Sequence, residues 1–393
     1  MTGSTRVRVQ TGLDVLLAGE APDLQGPRLG LITNPSGIDR ELRSGIDLLH
    51  TDERFHLQTL FGPEHGIRGD AQAGVHVQAG NDPRTGLTVY SLYGETRHPS
   101  TEMLRGLDAL VFDLQDVGVR YATYISTLVH AMEAAATASV PFVVLDRPNP
   151  LGGLRFMSNL FDPAFTSFVG IADIPICHGL TVGEFALLYA AEHDLPEPRI
   201  IKMQGWRREL WFDQLDLPWV LPSPNLPTLE ALALYPATCL VEGISASEGR
   251  GTTRPFEFLG APDINPFELA DTLARHALPG VAFRPLFFTP TFQKHAQQLC
   301  GGVQVYLLER EHAPLQELGL HLIADIRRLS PLSQPWIKGK SGNEAGRYFI
   351  DLLLGSDKPR LALDAGASVE DITAGWHEQT AAFERRRVPY LLY

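Results

Sequence analysis

The stretch ALVFDLQDVGVRYATYISTLVHAMEAAATASVPFVVLDRPNP, residues 109–150, carries the reading of the fold. It opens on a short apolar run, Ala109 to Leu114, rich in strand formers and too short for a stable helix. A polar cluster follows, then a helical pattern from Ser126 to Ala138, then a second apolar run from Phe142 to Leu145. Two strands joined through a helix run parallel, and a parallel sheet needs both faces covered.

The same rhythm extends upstream. Apolar runs recur at Leu29 to Thr33, Leu57 to Phe61 and Leu87 to Leu92, with a helix-like stretch at Glu41 to His50. Alternation of this kind predicts an α/β fold with a parallel sheet. Right-handed crossovers then gather the carboxyl ends of the strands on one edge, where ligands bind in open α/β sheets. Four polar clusters fall at those ends: Asn34-Pro35-Ser36-Gly37, Gly62-Pro63-Glu64-His65-Gly66, Asp113-Leu114-Gln115-Asp116 and Asp146-Arg147-Pro148-Asn149. Together they predict one composite pocket.

At 393 residues the chain is long enough for two domains. The texture changes near 200–236, where Trp206, Trp211 and Trp219 accompany LPWVLPSPNLPT, a proline-rich stretch that forms a connector or a cleft wall rather than a helix. Thr238 to Gly243 reads as a strand opening the second domain, so the division falls at 1–236 and 237–393. Val303 to Leu308 and Leu320 to Ile326 add a strand and a helix to it.

Composition narrows the function. A formal charge of −13 and the lack of a basic face argue against nucleic acid as a partner. The densest basic run, Arg385-Arg386-Arg387, reads as a solvated helix end. No apolar run is long enough to span a bilayer, and the N-terminus lacks the apolar core of a signal peptide. Cys177, Cys239 and Cys300 are sparse and odd in number, which fits a reducing compartment, and the expectation is a cytoplasmic protein. The 13 histidines are scattered without zinc-type spacing, so no metal is expected. The first strand ends in Asn-Pro-Ser-Gly rather than a glycine fingerprint, and no phosphate-binding loop or serine elbow is present, so no cofactor is expected either.

The chemistry then rests on carboxylates. Glu64 sits in a turn stiffened by Pro63 and framed by Gly62 and Gly66, a place where a carboxyl group is held at a fixed angle. It is either a proton donor to a leaving oxygen or a turn glutamate that caps the next segment. His65 either orients that acid or packs in the turn. Either Asp113 or Asp116 supplies a second carboxylate, the other capping a helix. Tyr121 and Tyr124 either stack on a sugar or pack. His178 either enters the cleft or belongs to the helix start at Thr181-Val182-Gly183-Glu184, which has capping-box spacing. In Glu248-Gly249-Arg250-Gly251-Thr252-Thr253-Arg254, two arginines beside flexible backbone either form a fork for an anion or pair internally.

These segments resemble a bacterial family, first known as YbbC-like proteins of unknown function and represented by the NamZ-type exo-β-N-acetylmuramidases. The resemblance is carried by LGLITNPSGID (from 29), LFGPEHGIRGDAQAG (60–74), VYSLYG (89–94), VFDLQDVGVRYATYISTL (111–128) and FVVLDRPNPLGG (142–153). It continues through HGLTVGE (178–184), LPWVLPSPNLPTLE, YPATCLVEGISASEGRGTTRPFE, FTPTFQKHAQQLCGGVQ and the terminal YLLY.

What the resemblance implies is a Rossmann-like domain beside a smaller α/β domain, with the active cleft between them. The activity implied is release of N-acetylmuramic acid from the non-reducing end of peptidoglycan fragments, so the partners are peptidoglycan-derived saccharides or muropeptides. The family's proposed catalytic glutamate lies in FGPEHG and falls on Glu64. His65 and Asp116 accompany it, while Asn34, Tyr124, Asn225, Glu248, Arg250 and Arg254 are placed around the cleft as substrate contacts. Arg250 or Arg254 is suited to the lactyl carboxylate that distinguishes muramic acid from glucosamine. Two other readings stay open at this point: a muropeptide sensor without turnover, and a hydrolase of another amino sugar. Oligomeric state is not legible.

Overall fold

The computed structural model describes residues 6–69, 71–72, 74–159, 161–339 and 345–393. Asp70 and Ala73 of the 60–74 motif, and the first five residues of the N-terminus, lie outside the described residues.

The first domain is built on seven strands: β1 (Arg28–Thr33), β2 (His56–Gly62), β3 (Gly80–Asn81), β4 (Thr88–Ser91), β5 (Ala109–Asp113), β6 (Phe142–Leu145) and β7 (Arg199–Ile201). Their order is β3-β4-β2-β1-β5-β6-β7, every neighbouring pair being parallel except β3 with β4. Without the two-residue β3, this is the strand order of the doubly wound dinucleotide-binding sheets, which reverses direction between β1 and β5.

Alternate side chains leave the sheet on opposite faces, so a strand buried on both needs apolar residues in succession. In β1, Leu31 joins one core with Leu60, Val111 and Val143, under helices α1 (Gly12–Leu17) and α2 (Gly45–Thr51). Its neighbour Ile32 joins the opposite core with Phe61, Phe112 and Val144, under α3 (Thr123–Ala138) and α4 (Val182–Glu192). The capping box expected at α4 is formed, with the Thr181 hydroxyl accepting from the Glu184 N–H and the Glu184 carboxylate accepting from the Thr181 N–H.

Helix α5 (Leu229–Thr238) runs across the division expected at 236 and packs apolar residues into the core of the second domain, which also holds β8 (Phe258–Ala261), α6 (Pro266–Ala274), β9 (Val281–Phe288), β10 (Cys300–Leu307) and α7 (Leu315–Leu329). Four short helices complete it: α8 (Phe349–Leu354), α9 (Lys358–Asp364), α10 (Val369–Thr373) and α11 (Trp376–Arg387). Its sheet is antiparallel, in the order β8-β10-β9.

Thr238 to Gly243 is not a strand. Thr238 ends α5, and residues Cys239–Gly243 continue as a 3-10 turn. Leu240 and Ala237 are buried against α7, where a Cβ on Gly319 would meet Leu240 at 2.8 Å and the Ala237 carbonyl at 2.9 Å. Close helix packing at that glycine overrides the local strand tendency of the sequence.

The basic run at 385–387 is not solvated as a whole. Arg387 is buried and donates to the carbonyls of Gly153 and Gly179, and Arg386 pairs with Asp173 and Glu192. The rest of the tail follows it back onto the first domain. Phe383 is fully buried in the core beneath α3 and α4, and the Tyr393 hydroxyl donates to Asp146 at 2.7 Å.

The connector builds its own small core from Met203, Trp206, Leu210, Phe212, Leu215 and Leu217 with Val9. Its proline-rich end then crosses the strand edge, since Asn34 Nδ2 and the Tyr124 hydroxyl both donate to the Pro222 carbonyl. Among the described residues, no helix is long and apolar enough to cross a membrane. The three cysteines are buried and unbridged.

Candidate active site

The carboxyl ends of β2, β1, β5 and β6 lie side by side, so the four polar clusters occupy one edge. Glu64 follows β2 in a turn closed by a bond from the Gly66 N–H to the Pro63 carbonyl. His65 (φ 73°) and Gly66 (φ 75°) both take the left-handed conformation, which redirects the chain so that Glu64 stays half-buried at the rim. Its Oε2 accepts from the Thr123 hydroxyl at 2.6 Å and its Oε1 from the Gly74 N–H at 2.9 Å. Thr123 is the first residue of α3, so the carboxylate lies at the positive end of that helix.

His65 acts on this geometry from behind. Its ring is buried and Nδ1 donates to the Ala71 carbonyl at 2.9 Å, tying down the loop whose Gly74 holds Glu64. The sequence marks neither partner: α3 starts behind Ala122 with no side-chain cap to signal Thr123, and Gly74 acts only through its backbone N–H.

The two aspartates after β5 part company. Asp113 is closed in a buried two-point ion pair with Arg147, at 2.6 and 3.0 Å, which fixes the β5 end to the β6 end. Among the described residues, Asp116 has no arginine or lysine partner. Its Oδ2 accepts from the Gly118 N–H at 2.7 Å, Oδ1 meets no partner, and burial pushes its proton affinity up to about 6 against the backbone N–H groups of Gly118 and Val117. Of the pair, Asp116 is the carboxyl whose charge no cation answers among the described residues, and burial favours its protonated form.

Asn34 turns inward, with Oδ1 accepting from the Ser36 N–H and hydroxyl at 2.9 and 2.5 Å. Ser36 in turn accepts from the Gln115 N–H at 2.9 Å, which stitches the end of β1 to that of β5 at the point where the strand order reverses. Tyr124 is buried, and its phenol is kept protonated first by burial, then by the nearby negative charge of Glu64. Tyr121 packs, with its hydroxyl donating to the Pro236 carbonyl at 2.6 Å. Asn225, on the crossing loop, is buried, and its Nδ2 meets no partner among the described residues.

The second-domain cluster separates its two arginines. Arg250 is enclosed by Glu248 at 2.8 Å and Glu242 at 2.7 Å, above the Phe256 ring, and Lys294 reaches Glu248 at 3.0 Å. Burial alone would raise the Glu248 proton affinity, but Lys294 and Arg250 outweigh it and hold the carboxyl below the usual range. The charge of Arg250 is thus answered within the chain. Arg254 is 44% exposed, with Glu257 at 3.3 Å, and borders a cavity of about 690 Å³ shared with Thr228, Glu230, Tyr306 and Arg310. Glu64, Asp116 and Tyr124 do not line that cavity.

His178 completes the picture at the strand edge. Buried beside Asp116, it accepts from the Leu180 N–H through Nδ1 at 3.2 Å, and its Nε2 lies 3.9 Å from Asp116 Oδ2.

Comparison with known proteins is consistent along the chain. The family model described as Exo-beta-N-acetylmuramidase NamZ, N-terminal matches residues 29–230, and the corresponding C-terminal model matches residues 233–393. The peptidoglycan β-N-acetylmuramidase NamZ of Bacillus subtilis (strain 168) is 46% identical over 387 residues, 98% of this chain and 92% of the relative. Two crystal structures of DUF1343 family proteins from Bacteroides fragilis NCTC 9343 share the fold. One has a TM-score of 0.90 at 39% identity, covering 99% of this chain and 100% of its own. The other has a TM-score of 0.75 at 30% identity, covering 98% and 99%.

Proposed function

Because the chain belongs to the NamZ family of exo-β-N-acetylmuramidases, we propose that it is a glycoside hydrolase releasing N-acetylmuramic acid from the non-reducing end of peptidoglycan fragments, with Glu64 as general acid. The observation that carries the activity is the near-full-length relationship to a curated peptidoglycan β-N-acetylmuramidase. The assignment of Glu64 is supported by its position. Asp113 is neutralised by Arg147, whereas Glu64 is half-buried, pairs with no cation among the described residues and has both oxygens oriented by neutral donors.

In this reading, Glu64 delivers its proton to the glycosidic oxygen as the bond to the anomeric carbon breaks. Thr123 and Gly74 hold the carboxyl group to one rotamer, which shortens the search for the productive geometry. Asp116 is the second acid–base group and takes the proton of the attacking water. Asn225 and Arg254 carry recognition, Arg254 reaching the lactyl carboxylate that a glucosaminide lacks from the second-domain cavity that it borders. His65 and Asn34 serve by fixing the loops on either side. The buried, unbridged cysteines support a reducing compartment, and we assign the protein to the cytoplasm.

The test is product release from a chromogenic β-N-acetylmuramide, beside the matching glucosaminide, for wild type and Glu64→Gln. Cleavage of the muramide alone, lost in Glu64→Gln, is the expected result. Tight muropeptide binding with no cleavage of either sugar would overturn the enzyme reading in favour of a sensor.

A further inference from the structure

The segment carrying His178 is pinned beside Asp116 by backbone pairing. Val119 bridges Cys177, and the Arg120 N–H donates to the Ile176 carbonyl at 2.8 Å. His178 Nδ1 already accepts the Leu180 N–H, which places the ring proton on Nε2. That N–H faces Asp116 Oδ2 across 3.9 Å, longer than a hydrogen bond. Among the described residues, His178 Nε2 and Asp116 Oδ1 are both buried and without a partner, while Oδ2 is held by the Gly118 N–H. A buried donor left open towards a carboxylate that still has an open oxygen calls for a function.

We propose that His178 is a positioning residue for the reaction: its Nε2–H is the donor that orients the Asp116 carboxylate once Asp116 is ionised. The inference rests on the reading of Asp116 as the second acid–base group. Ionisation draws the N–H onto the carboxylate and closes a gap of about one ångström to a charge-assisted bond. Burial, reinforced by the positive charges of Arg387 and Arg120, pushes the imidazole down to about 3, so the ring stays a neutral donor at working pH. The other titratable groups facing the pair are Tyr124 from α3 and, beyond it, Glu64. His178 therefore moves no proton itself; it fixes the carboxylate that does.

The experiment is the pH profile of kcat/KM on the muramide for wild type, His178→Asn, His178→Gln and Asp116→Asn. Asparagine keeps the acceptor for Leu180 and loses the donor towards Asp116, whereas glutamine restores a donor near the Nε2 position. In His178→Asn the acid limb is expected to move up by about one pH unit, with kcat about tenfold lower and KM little changed. His178→Gln is expected to recover most of both. Unchanged limbs in His178→Asn, together with loss of activity in Asp116→Asn, would overturn the role of His178 alone. Full activity with an intact acid limb in Asp116→Asn would overturn the Asp116 reading and the inference with it. Equal damage in the asparagine and glutamine variants with unmoved limbs would mark His178 as a packing residue and overturn the proposal.

Discussion

The Thr123 hydroxyl donates to Glu64 Oε2 at 2.6 Å, joining the first turn of α3 to the turn after β2. A bond of that length to a carboxylate is worth roughly 1.5–3 kcal/mol in such settings. Thr123→Val removes the donor while keeping the branched shape. It is expected to lower kcat on the muramide by about tenfold and thermal unfolding by a few degrees, and Thr123→Ser is expected to restore most of both. Equal rates for the valine variant and wild type would show that the hydroxyl does not hold the reacting carboxyl.

The two arginines of the second domain are expected to fail in different ways. Arg250→Met leaves Glu248 and Glu242 without their shared cation, and unpairing a buried ion of this kind costs about 3–5 kcal/mol. Thermal unfolding should therefore shift down by several degrees. Arg254→Leu breaks only a part-exposed pair with Glu257, worth about 1 kcal/mol or less after solvent screening. Its unfolding should stay close to wild type while KM for the muramide rises about tenfold. An unchanged KM in Arg254→Leu would remove Arg254 from carboxylate recognition.

Asp146 gives stability a pH signature. It is fully buried and accepts from Tyr393, Thr181 and Gly183, yet burial outweighs these bonds and raises its proton affinity to about 6. A carboxyl whose folded value lies above its unfolded value stabilises fully below the unfolded value. That contribution is lost as pH rises through the folded value. The advantage of wild type over Asp146→Asn in thermal unfolding is therefore expected to be largest near about pH 4 and to shrink towards about pH 7. An advantage that grows with pH would mean that the hydrogen bonds dominate burial.

Much of the first domain is legible from residues alone because its strands are buried on both faces. Ala109–Asp113 and Phe142–Leu145 are buried at every position, and such runs have no competing periodicity. Glu64 is legible for a related reason, since its proline and flanking glycines announce a constrained turn. Thr238 to Gly243 misleads because its packing partner, the bare surface at Gly319, lies some eighty residues away. Arg250 and Arg254 look equivalent in sequence, and only the distant Lys294, with Glu242, makes one a closed ion pair. The local turn role of His178 can be read from its neighbours. Its open side cannot, because Asp116 reaches it only through the pairing of Val119 with Cys177.

The return of the tail to the first domain has a consequence for how the protein is made. Phe383, Arg387 and Tyr393 complete a layer whose strands emerge from the ribosome far earlier. Until synthesis reaches residue 393, the nascent sheet carries an apolar gap beside α3 and α4, and Asp146 lacks one of its donors. The N-terminal half is therefore not an independent folding unit that merely awaits a partner. The residues that close it are translated after the core of the second domain, so a ribosome that stalls in the second domain leaves the first one unfinished as well.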